Sequence, residues 1–355
     1  MRIAIVGAGA VGGALAGYLA ATGRHELSLL ARGAHLAAIR DGGLTVQTPK
    51  GTLTSRPRAS DSAEDLGPQD VVIVPVKGHG LPALAPSCPA LCGPDTLVVA
   101  AQNGIPWWYL YGAGDGVTPE PLEVVDPGGA IWSAIGPERV AACVMEVLPA
   151  RIVGPGVVAH TAMPVLAFGA PRPGDHAEKL AALADSFNTA GATARLPADI
   201  RVPLWSKLML NMAVGPTSVL TGATMGAMEQ APGMAAVQGR LMRECLNVAH
   251  AWGVALPDDI DERLSRGSGV PGHKPSMLQD FEAGRSMEID PIVTTVLELA
   301  RRRGVPVPTI ETLWALTALK ERAALARAKG PTGPHPQTMT SKTIPRAEQA
   351  GRNGP

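Results

Sequence analysis

The chain opens MRIAIVGAGAVGG, and this stretch, Met1 to Gly13, restricts the fold more than any other. Arg2 to Val6 is a short run rich in Ile and Val, as a strand buried on both faces requires. It ends in Gly7, Gly9 and Gly12, the GxGxxG spacing. Each glycine has a physical task. Gly7 permits the tight turn out of the strand, Gly9 lets backbone approach a diphosphate with no side chain between, and Gly12 lets the next helix lie close to the strand. Gly7, Ala8, Gly9, Ala10, Val11 and Gly12 then present main-chain N–H groups at a helix N-terminus, where the helix dipole favours an anion.

A chain with 41 glycines contains chance matches, so context decides. Ala10 to Ala21 continues as an Ala- and Leu-rich helix stopped near Gly23, and Glu26 to Ala31 (ELSLLA) gives a second strand at βαβ distance. A Rossmann-type dinucleotide-binding domain follows. At the end of that second strand, where an acid usually grips a ribose 2′-hydroxyl, stand Ala31 and Arg32. A cation there suits a 2′-phosphate and favours NADPH over NADH; the plainer reading of Arg32 is a solvated loop residue.

Leu44 to Gln47 and Thr52 to Ser55 read as a polar hairpin around Pro49-Lys50-Gly51. Asp70 to Val76 and Thr96 to Ala101 read as two buried parallel strands. Strand C-termini face the ligand crevice in such sheets, so Lys77 and Gln102-Asn103-Gly104 should line the cofactor site. Ile105 to Gly112 (IPWWYLYG) then concentrates two of the six tryptophans in a chain with 3% aromatics. That run suits a lid or substrate wall, and equally a packing plug or the contact of a homodimer. Ala142 to Leu148, Val157 to Thr161 and Val165 to Gly169 are expected as antiparallel strands closing the sheet, followed by a helix from Lys179 to Ala190.

From about residue 197 the periodicity becomes helical: Ile200 to Val214, Met225 to Trp252, Pro275 to Met287, Pro291 to Arg303 and Pro308 to Ala328. The division expected is therefore a Rossmann domain over 1–196, an all-α domain over 197–329 and a disordered tail over 330–355. In Pro203 to Val214, Lys207 and Asn211 lie four apart on one face of a mostly apolar helix. Such a lysine either snorkels to the surface or points into a polar cleft. Ser276 reads as a helix cap or a ligand donor, and Glu288 as a surface carboxylate or a site acid.

The charges balance at 31 Lys plus Arg against 31 Asp plus Glu, so no field favours nucleic acid or an anionic membrane. The four cysteines have neither CxxC spacing nor disulfide-scaffold density, and the eight histidines form no ligand pattern, so no metal is expected. With no apolar run of about 18 residues, the expectation is a soluble, cytoplasmic protein.

GAGAVG, the pair Val76-Lys77, QNG at Gln102 to Gly104, PGVVAHT at Pro155 to Thr161, DIRVPLWSKLMLN at Asp199 to Asn211 and SMLQDFEAGRSMEID at Ser276 to Asp290 carry a family resemblance. Together they resemble the ketopantoate reductases (2-dehydropantoate 2-reductases), from residue 1 to about residue 328. The resemblance implies a Rossmann domain joined to an all-α domain, with NADPH and a 2-oxo acid meeting between them in pantothenate biosynthesis. It implies Lys207 as the catalytic lysine, with Asn211 and Glu288 beside it. Ser276, Asn103, Asn211 and Glu288 would contact substrate, and the glycine turn, Arg32, Lys77 and Asn103 would contact cofactor.

The sequence departs from the family at Gly215 and Gly80, where relatives often carry Asn and Gln, and in the aromatic run Trp107 to Tyr111. If these changes reach the pocket, it should be roomier and more apolar, admitting bulkier 2-oxo acids. A reductase of such an acid or an imine, and a non-catalytic NADP-binding sensor, are the alternative readings; Lys207 and Glu288 argue against the sensor.

Arg32→Ala should weaken NADPH binding by about 1.5–3 kcal/mol, the range of a charge-assisted hydrogen bond, and leave NADH binding unchanged. Fluorescence titration with both dinucleotides checks this, and equal affinity of the unmutated protein for both would overturn it.

Overall fold

The computed structural model describes residues 1–114, 116–266 and 270–328, so the expected tail lies outside the described residues. In chain order its strands are β1 (Arg2–Val6), β2 (Glu26–Leu30), β3 (Leu44–Thr48), β4 (Gly51–Ser55), β5 (Arg58–Ser60) and β6 (Gln69–Val74). They continue as β7 (Cys92–Ala100), β8 (Val140–Val147), β9 (Ala150–Gly154), β10 (Val157–His160), β11 (Val165–Gly169) and β12 (Thr193–Arg195). The main sheet has the order β12-β11-β8-β7-β6-β1-β2-β5. From β5 through β8 every pair is parallel, the doubly wound order in which the chain reverses direction between β1 and β6. The crevice beyond the strand C-termini opens at that reversal, between the glycine turn after β1 and Lys77 after β6.

Two expectations about the later strands are corrected. β8 runs parallel to β7, as the sixth parallel strand, and only β11 lies antiparallel to β8. β10 leaves this sheet altogether and joins a second sheet of order β4-β3-β10-β9, which contains the expected β3–β4 hairpin. The short strands β5, β9 and β12 carried no readable alternation.

The second sheet is held by a stripe of glycines on helix α1 (Ala10–Ala21). A β-carbon at Gly13 would stand 2.7 Å from Val158 Cγ2, and one at Gly17 2.5 Å from Val46 Cγ2. Residues four apart share a helix face, so the two glycines let β3 and β10 close on the helix backbone. Next to them the Tyr18 hydroxyl donates to His160 Nε2 at 3.2 Å, while His160 Nδ1 donates to the Ala162 carbonyl at 2.9 Å. That pairing satisfies the polar groups buried in the contact.

Past residue 200 the described residues form helices only. These include α2 (Arg201–Thr221), α3 (Met225–Gln230), α4 (Met234–Ala251), α5 (Ser276–Glu282), α6 (Thr295–Arg303) and α7 (Pro308–Ala328). α2 runs past its expected end at Val214, through Pro216, to a left-handed cap at Gly222. Burial of Met212 through Val219 holds the helix together across the proline. The expected helix Met225 to Trp252 breaks at Gly233, whose φ of 77° continues no helix. α5 stops at Glu282 rather than Met287, because Gly284 turns left-handed at φ 65° and the Arg285 N–H returns to the Asp280 carbonyl. Asp290–Thr294 is a π-helical turn leading into α6.

The aromatic run is the plug between sheet and helices. Trp107, Trp108 and Tyr109 are fully buried, so they form neither a lid nor a surface for a second copy. Tyr109 meets Trp205 of α2 and Trp252 edge-to-face at 6.1 Å, and its hydroxyl accepts from Trp205 Nε1 at 2.8 Å. The buried Arg201 guanidinium donates to the carbonyls of Tyr109, Tyr111 and Pro171 at 3.1, 2.8 and 2.7 Å. Among the described residues no helix is long and apolar enough to cross a membrane.

Gly17→Ala should destabilise the protein by about 1–3 kcal/mol, the cost of overpacking a close contact, through the Val46 clash. Urea denaturation measures it, and a midpoint equal to wild type would mean the second sheet yields without cost.

Candidate active site

The glycine turn has the geometry its spacing predicts. Gly7 sits at φ +103°, a conformation that L side chains rarely adopt, and a β-carbon there would stand 2.8 Å from Val76 Cγ1. One at Gly12 would stand 2.0 Å from the Gly7 carbonyl oxygen, so only glycine lets α1 lie this close to the turn. Gly9 is different: it is exposed, and nothing lies within 4 Å of where its side chain would be. The N-terminus of α1 carries no side-chain cap, so its first N–H groups, at Ala10, Val11 and Gly12, have no side-chain partner there. Arg32 stands exposed where β2 ends, with no ion pair among the described residues. These residues fit a phosphorylated dinucleotide.

Across the crevice, two loops of the sheet meet the helical half. The Ile105 N–H donates to the Pro291 carbonyl at 2.8 Å, and a β-carbon at Gly104 would stand 2.3 Å from that oxygen. This contact brings Asn103 to Glu288, with Asn103 Nδ2 donating to Glu288 Oε2 at 3.1 Å. Glu288 is buried, which overrides its reading as a surface carboxylate. The second loop places the Lys77 ammonium in an ion pair with Asp280 of α5.

Lys207 is half-buried, and its amine donates to the main-chain carbonyl of Met145. It does not snorkel. Burial pushes its pKa down to about 8, against the opposing pull of nearby Glu288 and Glu146. The strand it reaches is irregular there. The last β7–β8 pair is Ala100–Ala142, and Glu146 is the extra residue of a β-bulge, since Met145 pairs with Leu166 and Val147 with Val165. Glu146 itself is held by Arg195 in a two-pronged pair at 2.6 and 3.0 Å.

Other expected site residues stand apart from these bonds. Asn211, one turn beyond Lys207, is half-buried and its amide makes no hydrogen bond among the described residues. Ser276 is exposed in the first turn of α5 and caps nothing, the cap position being Pro275. Gly215 does not open a pocket. It is buried, and a β-carbon there would meet the Met277 side chain at 3.3 Å. With the aromatic run also buried, neither departure supplies the roomier pocket expected from the sequence. Gly80 alone faces space, its nearest neighbour being Val76 Cβ at 4.0 Å.

Sequence reasoning missed Asp280, Arg285, Glu146 and Arg195. Asp280 had a legible signal, lying one helical turn after Ser276. For Glu146 there was none, since a bulge has no sequence period.

Lys207 should titrate near pH 8, charged below and neutral above, well under an ordinary lysine. NMR of side-chain 15N-labelled lysines checks this, with the signal lost in Lys207→Met; titration near 10 would mean the amine is solvated.

The family model described as ketopantoate reductase PanE/ApbA matches residues 3–173, and its C-terminal counterpart matches residues 199–321. A 2-dehydropantoate 2-reductase from Mesorhizobium japonicum is 43% identical over 329 residues, 92% of this chain and 99% of the relative. One from Mycobacterium tuberculosis is 32% identical, over 89% of this chain and 96% of the relative. The crystal structure of a PanE/ApbA family ketopantoate reductase from Ralstonia eutropha JMP134 superposes with a TM-score of 0.76 at 32% identity, covering 91% of this chain and 99% of that one. With a family model on each half and a relative this similar over nearly its whole length, the chain is an oxidoreductase and belongs to the ketopantoate reductase family.

Proposed function

We propose that this chain reduces a 2-oxo acid to a 2-hydroxy acid with NADPH, and that its substrate is ketopantoate, giving pantoate for pantothenate biosynthesis. The observation that carries the reading is the Lys207 amine, held on the Met145 carbonyl near Glu288, which is itself paired with Asn103 from the loop that follows β7. The relatives named above are reductases of this acid, and the cleft has the donors the reaction needs.

The roles divide as follows. The glycine turn, Gly7 to Gly12, would hold the dinucleotide diphosphate, Arg32 its 2′-phosphate, and Lys77 with Asn103 the end that enters the crevice. NADPH supplies a hydride when bound. Everything else falls to the protein. Ser276 offers a hydroxyl to the substrate carboxylate, while Asn211 and Glu288 bind the substrate's hydroxyl end. The Lys207 ammonium donates a hydrogen bond to the ketone oxygen, polarising it, and gives up its proton as that oxygen becomes an alkoxide. One hydride and one proton turn the ketone into a secondary alcohol, and a pKa near 8 keeps the donor charged yet ready to release at neutral pH. Met277 over Gly215 keeps the lysine helix closed to extra bulk, which supports ketopantoate over larger 2-oxo acids.

Lys207→Ala should lower turnover by roughly 10²- to 10⁴-fold with NADPH affinity retained, and wild-type kcat/KM should fall as pH rises through about 8. NADPH consumption with ketopantoate and with longer apolar 2-oxo acids tests the whole reading, ketopantoate being expected to give the highest kcat/KM. No oxidation with any of them would overturn it, and near-normal turnover in Lys207→Ala would remove the lysine from its role.

A further inference from the structure

Asp280 is the most heavily engaged carboxylate in the cleft. Its side chain is 6% exposed, and its two oxygens serve two cations: Oδ2 takes the Lys77 ammonium, and Oδ1 takes Arg285 Nε at 3.0 Å. The Asp280 carbonyl also accepts the Arg285 N–H at 2.9 Å. A carboxylate this buried is tolerable only when fully paired. The pairing spans 203 residues, from the end of β6 to α5, and so ties the crevice loop of the sheet to the helix that carries Ser276 one turn earlier.

Lys77 itself remains 41% exposed. An ammonium has three N–H donors, and Asp280 uses one, leaving the others for a ligand. A lysine with a free four-carbon stem must be ordered when it binds, at a cost in rotamer entropy. One already tethered has much of that ordering done.

We propose that Asp280 is a positioning residue for the dinucleotide: it holds Lys77 at the crevice in the conformation that meets the anionic cofactor. This deepens the proposed function and rests on its reading of the crevice as a dinucleotide site. The proposal makes a signed statement. Lys77, Arg285 and Asp280 together carry one net positive charge, and neutralising Asp280 raises it to two. If the carboxylate acted only through long-range charge, Asp280→Asn would tighten binding of the anionic cofactor. If it acts by holding Lys77, the same change weakens binding.

The test is NADPH affinity by fluorescence titration, with the NADPH-induced rise in melting temperature as a second readout. Asp280→Asn and Lys77→Met should each raise Kd about tenfold, which is about 1.4 kcal/mol. The double variant should stand near tenfold rather than near a hundredfold, because both changes remove one interaction. Unchanged or tighter binding in Asp280→Asn, or a hundredfold loss in the double variant, overturns the proposal. Should Asp280→Asn not fold, unchanged affinity in Lys77→Met overturns it alone. Wild-type protein that binds NADPH but reduces no 2-oxo acid overturns the proposed function and leaves this inference standing. Protein that binds neither NADPH nor NADH overturns both.

Discussion

A glycine pressed against a carbonyl holds the two halves of the site in register. Gly104 adopts φ +80° with the Pro291 oxygen so near that a β-carbon would overlap it, and the next residue, Ile105, donates its N–H to that oxygen. Asn103 lies one residue before this contact and Glu288 three residues before Pro291, so docking two stretches of main chain aligns two side chains. The neighbouring loop uses the same proline, since a β-carbon at Gly78 would stand 3.5 Å from the Pro291 ring. Pro291 is the second residue of a π-helical turn, a widened helix turn that recurs at functional sites, and here it presents its carbonyl outward to the sheet.

Around that contact, electrostatics are set by what is buried beside what. Lys207 loses water and is only partly compensated, by one carbonyl and by carboxylates that are themselves engaged, Glu288 with Asn103 and Glu146 with Arg195. A fully satisfied ion pair would have locked the amine in its charged state. Cys143, close to Lys207, has its thiol pushed up to about 12 by burial, so it stays protonated and contributes no anion.

Local patterning carried far. The glycine turn, β1, β2, the β3–β4 hairpin and the last helix were legible because period, turn chemistry and burial agree there. The motifs also named Asn103 and Glu288, which the docked main chain brings together. What was not legible is long-range. β8 and β11 have the same apolar look, yet one is parallel and the other antiparallel to its neighbour, a matter of chain path rather than composition. Gly215 looked like missing bulk until Met277, 62 positions away, proved to fill its place. The same holds for Asp280, an ordinary helical acid until Lys77 arrives from the opposite half of the chain.

The aromatic plug bears on how such a chain can be cut and recombined. Tyr109 belongs to the sheet half by position, but its partners Arg201, Trp205 and Trp252 belong to the helical half, while Trp107 meets Trp132 of its own half edge-to-face. A boundary near residue 197 would therefore divide the chain and not the core, since one apolar cluster runs across it from β1 to α7. A chimera joining the sheet half of one relative to the helices of another would inherit a mismatched interior unless residues 105–111 travelled with the helices. Shuffling in this fold has to follow the seam and not the linker.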